Sequence, residues 1–103
     1  MAYINLVYDA DNLIAIKFGI TSKLNGRRER EQNKRSVFEI KHLATWEFSS
    51  VSACKKAEKE IKAMLQTSII SKELMKDGWT ETCWPHEIDK VIKIYEDFGG
   101  IRL

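Results

Sequence analysis

The sequence predicts one α+β domain, in which a three-stranded antiparallel sheet is flanked by helices. Three observations predict it. Two apolar runs, residues 3–8 and 13–20, lie either side of a four-residue turn cluster, residues 38–48 alternate between apolar and polar positions, and residues 50–65 carry apolar residues at helical spacing. The length of 103 residues suits one compact domain, and no linker or repeat interrupts it, so we take residues 1–103 as that domain.

The first two runs predict a β-hairpin. Residues 3–8 are rich in β-branched and aromatic side chains, residues 9–12 read DADN, and the second run follows at once. After the hairpin, Thr21 or Ser22 can cap a basic helix that extends to about Arg35. Gly26 weakens that helix by about 1 kcal/mol relative to alanine, so its start is left open.

Residues 37–48 predict a long third strand with one buried face, because the even positions are mostly apolar. Ser49 or Ser50 then begins a second helix, whose stripe includes Ala57, Ile61 and Leu65. Among the aromatic and polar residues of the strand, His42 is expected to be a hydrogen-bonded core histidine rather than a ligand. The three tryptophans are expected mainly to fill the core.

The C-terminal part predicts a short strand over residues 79–83 and a last helix. Pro85 suits the first turn of that helix, and Gly99 with Gly100 ends it. Its predicted inner face comprises Ile88, Val91, Ile92 and Tyr95. The predicted order is therefore a ββαβα core plus a C-terminal helix.

The formal net charge of +2 conceals two regions of opposite sign. Residues 23–35 hold six cations and two acids, whereas residues 73–97 hold seven acids and three lysines. A basic cluster attracts polyanions such as nucleic acids. A solvated helix face is an equally good interpretation of the charges alone.

Composition excludes several classes of protein. No apolar run approaches the roughly 18 residues of a membrane span, and the first residues lack the pattern of a signal peptide. Cys54 and Cys83 have no CxxC spacing, and His42 and His86 stand too far apart in sequence to suggest a zinc site. We expect a reduced, cytoplasmic protein that does not enter membranes.

Several short motifs occur in an order that resembles the GIY-YIG nuclease superfamily, in particular its small phage-type T5orf172/Mug113-like branch. Tyr8 ends the first strand, and residues 17–21, KFGIT, match a K-I-G-x-T motif. Arg27 lies eight residues after Gly19, and Glu58 lies in a later helix. Residues 78–84, GWTETCW, are similar to a G-x-x-E-W-F segment. The resemblance covers residues 3–98.

The resemblance implies a phage or mobile-element endonuclease that hydrolyses DNA phosphodiester bonds with Mg²⁺ or Mn²⁺. Tyr8 is then expected to help activate water, Lys17 to accept a proton or bind phosphate, and Arg27 to stabilise charge on the phosphate. Glu58 is the implied metal ligand. Supporting roles fall to Gly19 and Glu81. The expected DNA-binding residues are Lys23, Arg28, Arg30, Lys34 and Arg35.

The sequence departs from this family at several positions. Lys17 replaces a second tyrosine, Glu31 stands where many members have histidine, and no asparagine follows Glu58. Glu60 competes with Glu58 for the metal, as Arg28 competes with Arg27. The alternative is therefore a catalytically weakened protein of the same fold that binds DNA or inhibits a host factor.

Convergence of the site residues is the critical expectation. Tyr8, Lys17, Arg27 and Glu58 should share one cleft, and a Glu58 far from Tyr8 would argue against the nuclease assignment. We expect Tyr8→Phe, Arg27→Ala and Glu58→Gln each to abolish cleavage. Because so short a domain has little surface for reading DNA sequence, we expect a homodimer or a protein partner to supply specificity.

Overall fold

A computed structural model describes residues 1–21, 38–76 and 78–103. In chain order, the elements are β1 (Ala2–Asp9), β2 (Asn12–Ile20), β3 (Glu39–Glu47), α1 (Val51–Met64), β4 (Thr82–Cys83), α2 (Ile88–Asp97) and β5 (Ile101–Arg102). Short 3₁₀ turns, Trp79–Glu81 and Pro85–Glu87, precede β4 and α2. The α+β class is confirmed. The predicted basic helix lies outside the described residues.

The described strands form a five-stranded antiparallel sheet in the order β4-β2-β1-β3-β5, so the prediction of three strands is wrong. The two additional strands are two residues long, which is too short to give an alternating pattern. The predicted strand over residues 79–83 survives only as Thr82–Cys83. Its first part becomes a 3₁₀ turn after Gly78, whose φ of 81° is a left-handed conformation.

A β-bulge changes which face of the sheet β3 covers. The pairing with β1 shifts between Ile4 and Asn5, which face Ala44 and His42, so Leu43 is the extra residue. Ile40 therefore packs on one face of the sheet, and Ala44 and Trp46 pack on the other. The expectation of one buried face along β3 is wrong because the bulge interrupts the alternation.

Each face of the sheet covers a hydrophobic core. The larger core lies against α1 and α2 and includes Ile4, Phe18, Trp46, Ile61 and Tyr95. The smaller core lies on the opposite face, where a segment after α1 covers the sheet. Its buried members are Val7, Ala15, Ile40, Ile70 and Met75. Burial on both faces fixes the register of the strands.

The residues predicted at the helix ends, Ser50, Pro85 and Gly99, are confirmed in those positions. The Ser50 hydroxyl accepts a hydrogen bond from the Ala53 backbone N–H, as an N-cap does. Pro85 begins the 3₁₀ turn that leads into α2, and Gly99, with φ of 95°, follows its end. Within the described residues, no helix has the length and apolar character needed to cross a membrane.

The predicted core residues have mixed outcomes. Trp46 is fully buried, Trp79 packs against the smaller core, and Trp84 is exposed. His42 is hydrogen-bonded as expected: its Nδ1 lies 3.1 Å from Asn5 Oδ1 and its Nε2 lies 3.1 Å from Thr45 Oγ1. The cysteines, Cys54 and Cys83, are free thiols in the buried interior.

Candidate active site

Lys17 lies in the interior of the protein, although it interrupts an apolar strand. Its register partners are Asn5 on β1 and Thr82 on β4, and only 2 % of it is exposed. Its Nζ donates to Tyr3 Oη at 2.8 Å and to the Phe18 carbonyl at 2.8 Å. Burying an ammonium is costly unless hydrogen bonds replace its water. Lys17 is therefore not a solvent-exposed residue of the strand.

Two glycines leave room for this lysine and its tyrosine partner. A Cβ on Gly78 would come within 2.9 Å of Lys17 Nζ and still closer to Cε. A Cβ on Gly19 would come within 2.6 Å of Tyr3 Oη. The resemblance gives Gly19 the role of letting its strand pack closely under a helix, and the structure shows a close contact with Tyr3. Both glycines are needed at the Lys17–Tyr3 pair.

Two linked carboxylates approach this pair through Glu81, on which the charge of Lys17 acts. Glu58 projects from α1, Glu81 ends the 3₁₀ turn before β4, and their side chains are 18 % and 22 % exposed. Lys62 joins them, because its Nζ lies 3.4 Å from Glu58 Oε1 and 3.6 Å from Glu81 Oε1. Residues from a helix and from a distant turn are thus held together by one ammonium group.

The electrostatics connect Glu81 to Lys17. Burial raises the pKa of Glu81, but the hydrogen bond from Thr80 and the positive charges of Lys17 and Lys62 lower it by more. Contact with the Glu58 carboxyl also lowers this pKa, so the net shift is downward from the ordinary value of 4.5. Glu81 is therefore an ionised carboxylate near neutral pH.

Tyr95 fixes the position of Tyr3 from the other face of the sheet. Its hydroxyl, in the core under α2, donates to the Tyr3 carbonyl at 2.9 Å. Burial raises the pKa of Tyr95 well above 10.0, so it stays a neutral donor. The backbone of Tyr3 is thereby tied to α2 while its side chain bonds Lys17.

Tyr8 lies at the other end of β1. It pairs with Leu13 on β2 and Glu39 on β3, and Lys41 Nζ lies 5.2 Å from the centre of its ring. Five residues separate Tyr8 from Tyr3, which is about 17 Å along a strand. Lys17 therefore meets Tyr3 rather than Tyr8, and the convergence of Tyr8 with Glu58 stays a prediction. A catalytic role for Tyr8 stays a prediction that no described contact supports.

The remaining site residues divide into two groups. Glu60, the competitor of Glu58, faces away from Lys17 and lines a groove between α1 and α2 with Met64, Lys90 and Phe98. The other group lies outside the described residues and comprises Lys23, Arg27, Arg28, Arg30, Lys34 and Arg35.

Tyr3 is the residue that sequence reasoning missed, and the hairpin contains the signal that could have found it. In a hairpin that turns at residues 9–12, the numbers of two paired residues sum to 21, as for Asp9 and Asn12. An irregularity between Val7 and Tyr8 raises this sum to 22 for the pairs beyond it. This arithmetic puts Tyr3 opposite Gly19 and two residue pairs from Lys17, whereas Tyr8 stays next to the turn.

The paired carboxylates have the chemistry of a magnesium site. Mg²⁺ in proteins is bound by one or two carboxylates and keeps several waters or substrate oxygens. Glu58 and Glu81 provide such a pair, at a position open to solvent on one side. No cluster of three or more His, Cys, Asp or Glu side chains occurs in the described ranges. A hard cation with few protein ligands fits these residues, and a closed zinc-type site does not.

Comparison with known proteins identifies the family of this chain. The T5orf172 domain profile matches residues 1–96. A protein of Escherichia phage T5, provisionally named as an endonuclease, is 32 % identical over 83 residues, which cover 81 % of this chain. The matched part is 33 % of that protein, so the chain spans about a third of its relative's length. No solved structure matches significantly. The profile match over almost the whole chain shows that the protein belongs to the T5orf172 domain family.

Proposed function

We propose that this protein is a GIY-YIG-type endonuclease that hydrolyses DNA phosphodiester bonds with Mg²⁺ or Mn²⁺. The convergence of Lys17, Glu58 and Glu81 supports the proposal most directly, because three distant parts of the sequence supply one cluster of opposite charges. Charged groups near one cleft are typical of catalytic sites. The phage T5 relative supports the same reaction class.

The carboxylates provide the metal site in this proposal. Glu58 and Glu81 would hold the cation, with water and phosphate oxygens as its other ligands. When bound, such a cation polarises the phosphoryl oxygen and stabilises the charge that develops on it. Lys62 neutralises the two carboxylates when no cation is present, and it can turn to a phosphate when one is.

Lys17 and Tyr3 form the second part of the proposed site. Tyr3 Oη accepts a hydrogen bond from Lys17 Nζ, so negative charge on this oxygen would lie 2.8 Å from an ammonium. We therefore give Tyr3 the water-activating role that the sequence assigns to Tyr8. Lys17 positions Tyr3 and contributes to lowering the pKa of Glu81. Arg27 keeps its proposed role at the phosphate, and the basic residues around it keep theirs in DNA binding.

A second candidate function has its own observation. Lys17 and Tyr3 are each only 2 % exposed, and the Lys62 ammonium already lies between both carboxylates. A protein with this arrangement could bind DNA without cutting it, as the departures from the family motif also suggest. Under this alternative, DNA binding depends steeply on salt and no cleavage product forms.

Plasmid cleavage tests the proposal. Supercoiled DNA is incubated with the wild-type chain in Mg²⁺, Mn²⁺ or EDTA, and with the variants Glu58→Gln and Glu60→Gln. We expect metal-dependent cleavage that Glu58→Gln abolishes and that Glu60→Gln leaves within about twofold. The two variants lose the same charge from the same helix. Metal-dependent nicking that survives Glu58→Gln, Arg27→Ala and Tyr3→Phe would contradict the mechanism.

A further inference from the structure

Helix α1 carries a row of lysines of which the proposed active site uses only Lys62. Lys55, Lys59 and Lys62 follow one another at spacings of four and three residues, which places them on one side of the helix. Lys56 lies next to this row, and all four side chains are exposed. The buried stripe of the helix, Cys54, Ala57 and Ile61, faces the core instead.

The row is next to the paired carboxylates. An open groove is lined by Lys55, Glu58, Lys59 and Lys62, so the proposed metal ligand lies within the row. A second groove shares Lys55 and Lys59 and continues to Lys56 and the start of the helix. The lysines therefore form one continuous basic surface that begins at the proposed site of cleavage.

Among the described residues, most of this positive charge has no counterion. Lys62 contacts Glu58 and Glu81, but Lys55, Lys56 and Lys59 form no ion pair with any residue in the described parts of the chain. The lysines of α2 differ, because Lys90 pairs with Glu87 and Lys93 with Asp97. Lys55, Lys56 and Lys59, which pair with none of the described residues, are therefore available for an external anion.

We propose that Lys55, Lys56 and Lys59 bind the phosphate backbone of DNA on one side of the cleavage site. This inference rests on the proposed function and adds a second basic surface to residues 23–35. The row from Lys55 to Lys62 extends about 10 Å along the helix axis. That length corresponds to roughly three nucleotide steps of 3.4 Å on one DNA strand. An apolar or aromatic anchor, which a protein interface normally has at its centre, is absent from both described grooves apart from Val51.

Fluorescence anisotropy with a labelled random-sequence duplex tests the inference. Binding is measured in EDTA, so that no cleavage occurs, at several NaCl concentrations. The test variant combines Lys55→Gln, Lys56→Gln and Lys59→Gln. The control combines Lys72→Gln, Lys90→Gln and Lys93→Gln, which removes the same charge from exposed positions elsewhere. Glutamine preserves helix propensity, and circular dichroism checks that both variants fold.

We expect the test variant to lose about 0.9 of salt slope for each phosphate contact removed, or about 2.7 in total, and to bind roughly tenfold or more weakly at 0.1 M NaCl. The control should keep the wild-type slope. An unchanged slope in the test variant, or an equal loss in the control, would overturn the inference.

Two further measurements separate this inference from its rivals. A labelled poly-glutamate peptide represents an acidic protein partner, and a test variant that loses only the peptide would overturn the DNA assignment. If the wild-type chain binds DNA through the row but never cleaves a plasmid, the proposed catalytic function fails and the inference stands. If the wild-type chain cleaves and the test variant binds DNA normally, only the inference fails.

Discussion

The two ends of strand β1 present nearly the same pair of residues in different surroundings. At one end, Lys17 Nζ lies 5.1 Å from the centre of the Tyr3 ring, and at the other, Lys41 Nζ lies 5.2 Å from the centre of the Tyr8 ring. The first pair is buried and hydrogen-bonded. The second is at the surface, where Lys41 also lies 3.9 Å from Glu39. A cation beside an aromatic ring is thus common to both ends.

The two ends of β1 differ in the residues that surround each lysine–tyrosine pair. Among the described residues, the Tyr3 end has two carboxylates, a second lysine and two glycines that make room for the contacts, and the Tyr8 end has one exposed ion pair. Exposed pairs of this kind contribute little to stability. Under the proposed function, the comparison favours the Tyr3 end as the site of chemistry, because charged groups from several parts of the chain meet there.

The largest expected difference between the ends is in their lysines. Lys17→Met should reduce cleavage by about 10²–10³-fold, as loss of one positioned donor does, whereas Lys41→Met should leave it within about twofold. Because methionine has a similar volume, the free energy of unfolding should change by less than about 1.5 kcal/mol in either variant. Plasmid cleavage and urea unfolding measure the two effects. Equal cleavage by both variants would remove the distinction between the ends.

The tyrosines give the next largest contrast. Tyr3→Phe removes the acceptor of a buried ammonium, so it should cost about 1–3 kcal/mol of stability and reduce cleavage at least roughly tenfold. Tyr8→Phe should change neither quantity measurably, because no hydrogen bond of the Tyr8 hydroxyl occurs among the described residues. Paired denaturation and cleavage assays decide the assignment. Loss of cleavage in Tyr8→Phe alone would restore the role that the sequence motif gives to Tyr8.

Two glycines with positive φ, Gly78 and Gly99, test the contact with Lys17. Gly78→Ala and Gly99→Ala share the backbone strain of φ values of 81° and 95°, but only Gly78 faces Lys17. A Cβ at Gly99 meets no atom within 4 Å. Gly78→Ala should therefore cost about 1 kcal/mol more than Gly99→Ala. Thermal unfolding of the two variants tests this, and equal costs would show that Lys17 moves aside freely.

The smallest expected effect is the pH dependence of Glu81. Its pKa is lowered in the folded protein, so the stabilisation is present above pH 4.5 and is lost as the pH falls through the folded-state pKa. Glu81→Gln should lower the free energy of unfolding by about 0.5 kcal/mol at pH 7, with little difference from wild type at pH 3. Glu39→Gln at the Tyr8 end is the control. A Glu81→Gln effect that persists unchanged at pH 3 would exclude an electrostatic origin.

Local signals predicted much of the fold. Ser50, Pro85 and Gly99 act at the ends of helices through their own backbone neighbours, so their roles are readable from the sequence. Strand β5 is not readable, because its two residues form a strand only where β3 provides hydrogen-bond partners. The change of buried face along β3 was equally unpredictable from the sequence, because the bulge at Leu43 depends on the pairing with β1.

The candidate site shows the same division. Glu58 and Glu81 were selected from motifs, and the structure links them through Lys62, although their roles stay predictions. Tyr3 was not among the predicted site residues, because the pairing of the hairpin is what distinguishes it from Tyr8, the other strand tyrosine. A motif gives the types of residue that a reaction needs. Strand register decides which of two tyrosines lies beside the other residues of the proposed site.

The close approach of Gly78 to Lys17 constrains how this protein can change. These positions are 61 residues apart in the sequence, yet the side chain allowed at one depends on the other. A long, flexible residue fits at position 17 because the residue at position 78 has no Cβ. A larger residue at position 78 would require a shorter side chain at position 17. We expect these two positions to vary together among relatives. A designer who wishes to introduce tyrosine at position 17 would have to choose both residues at once.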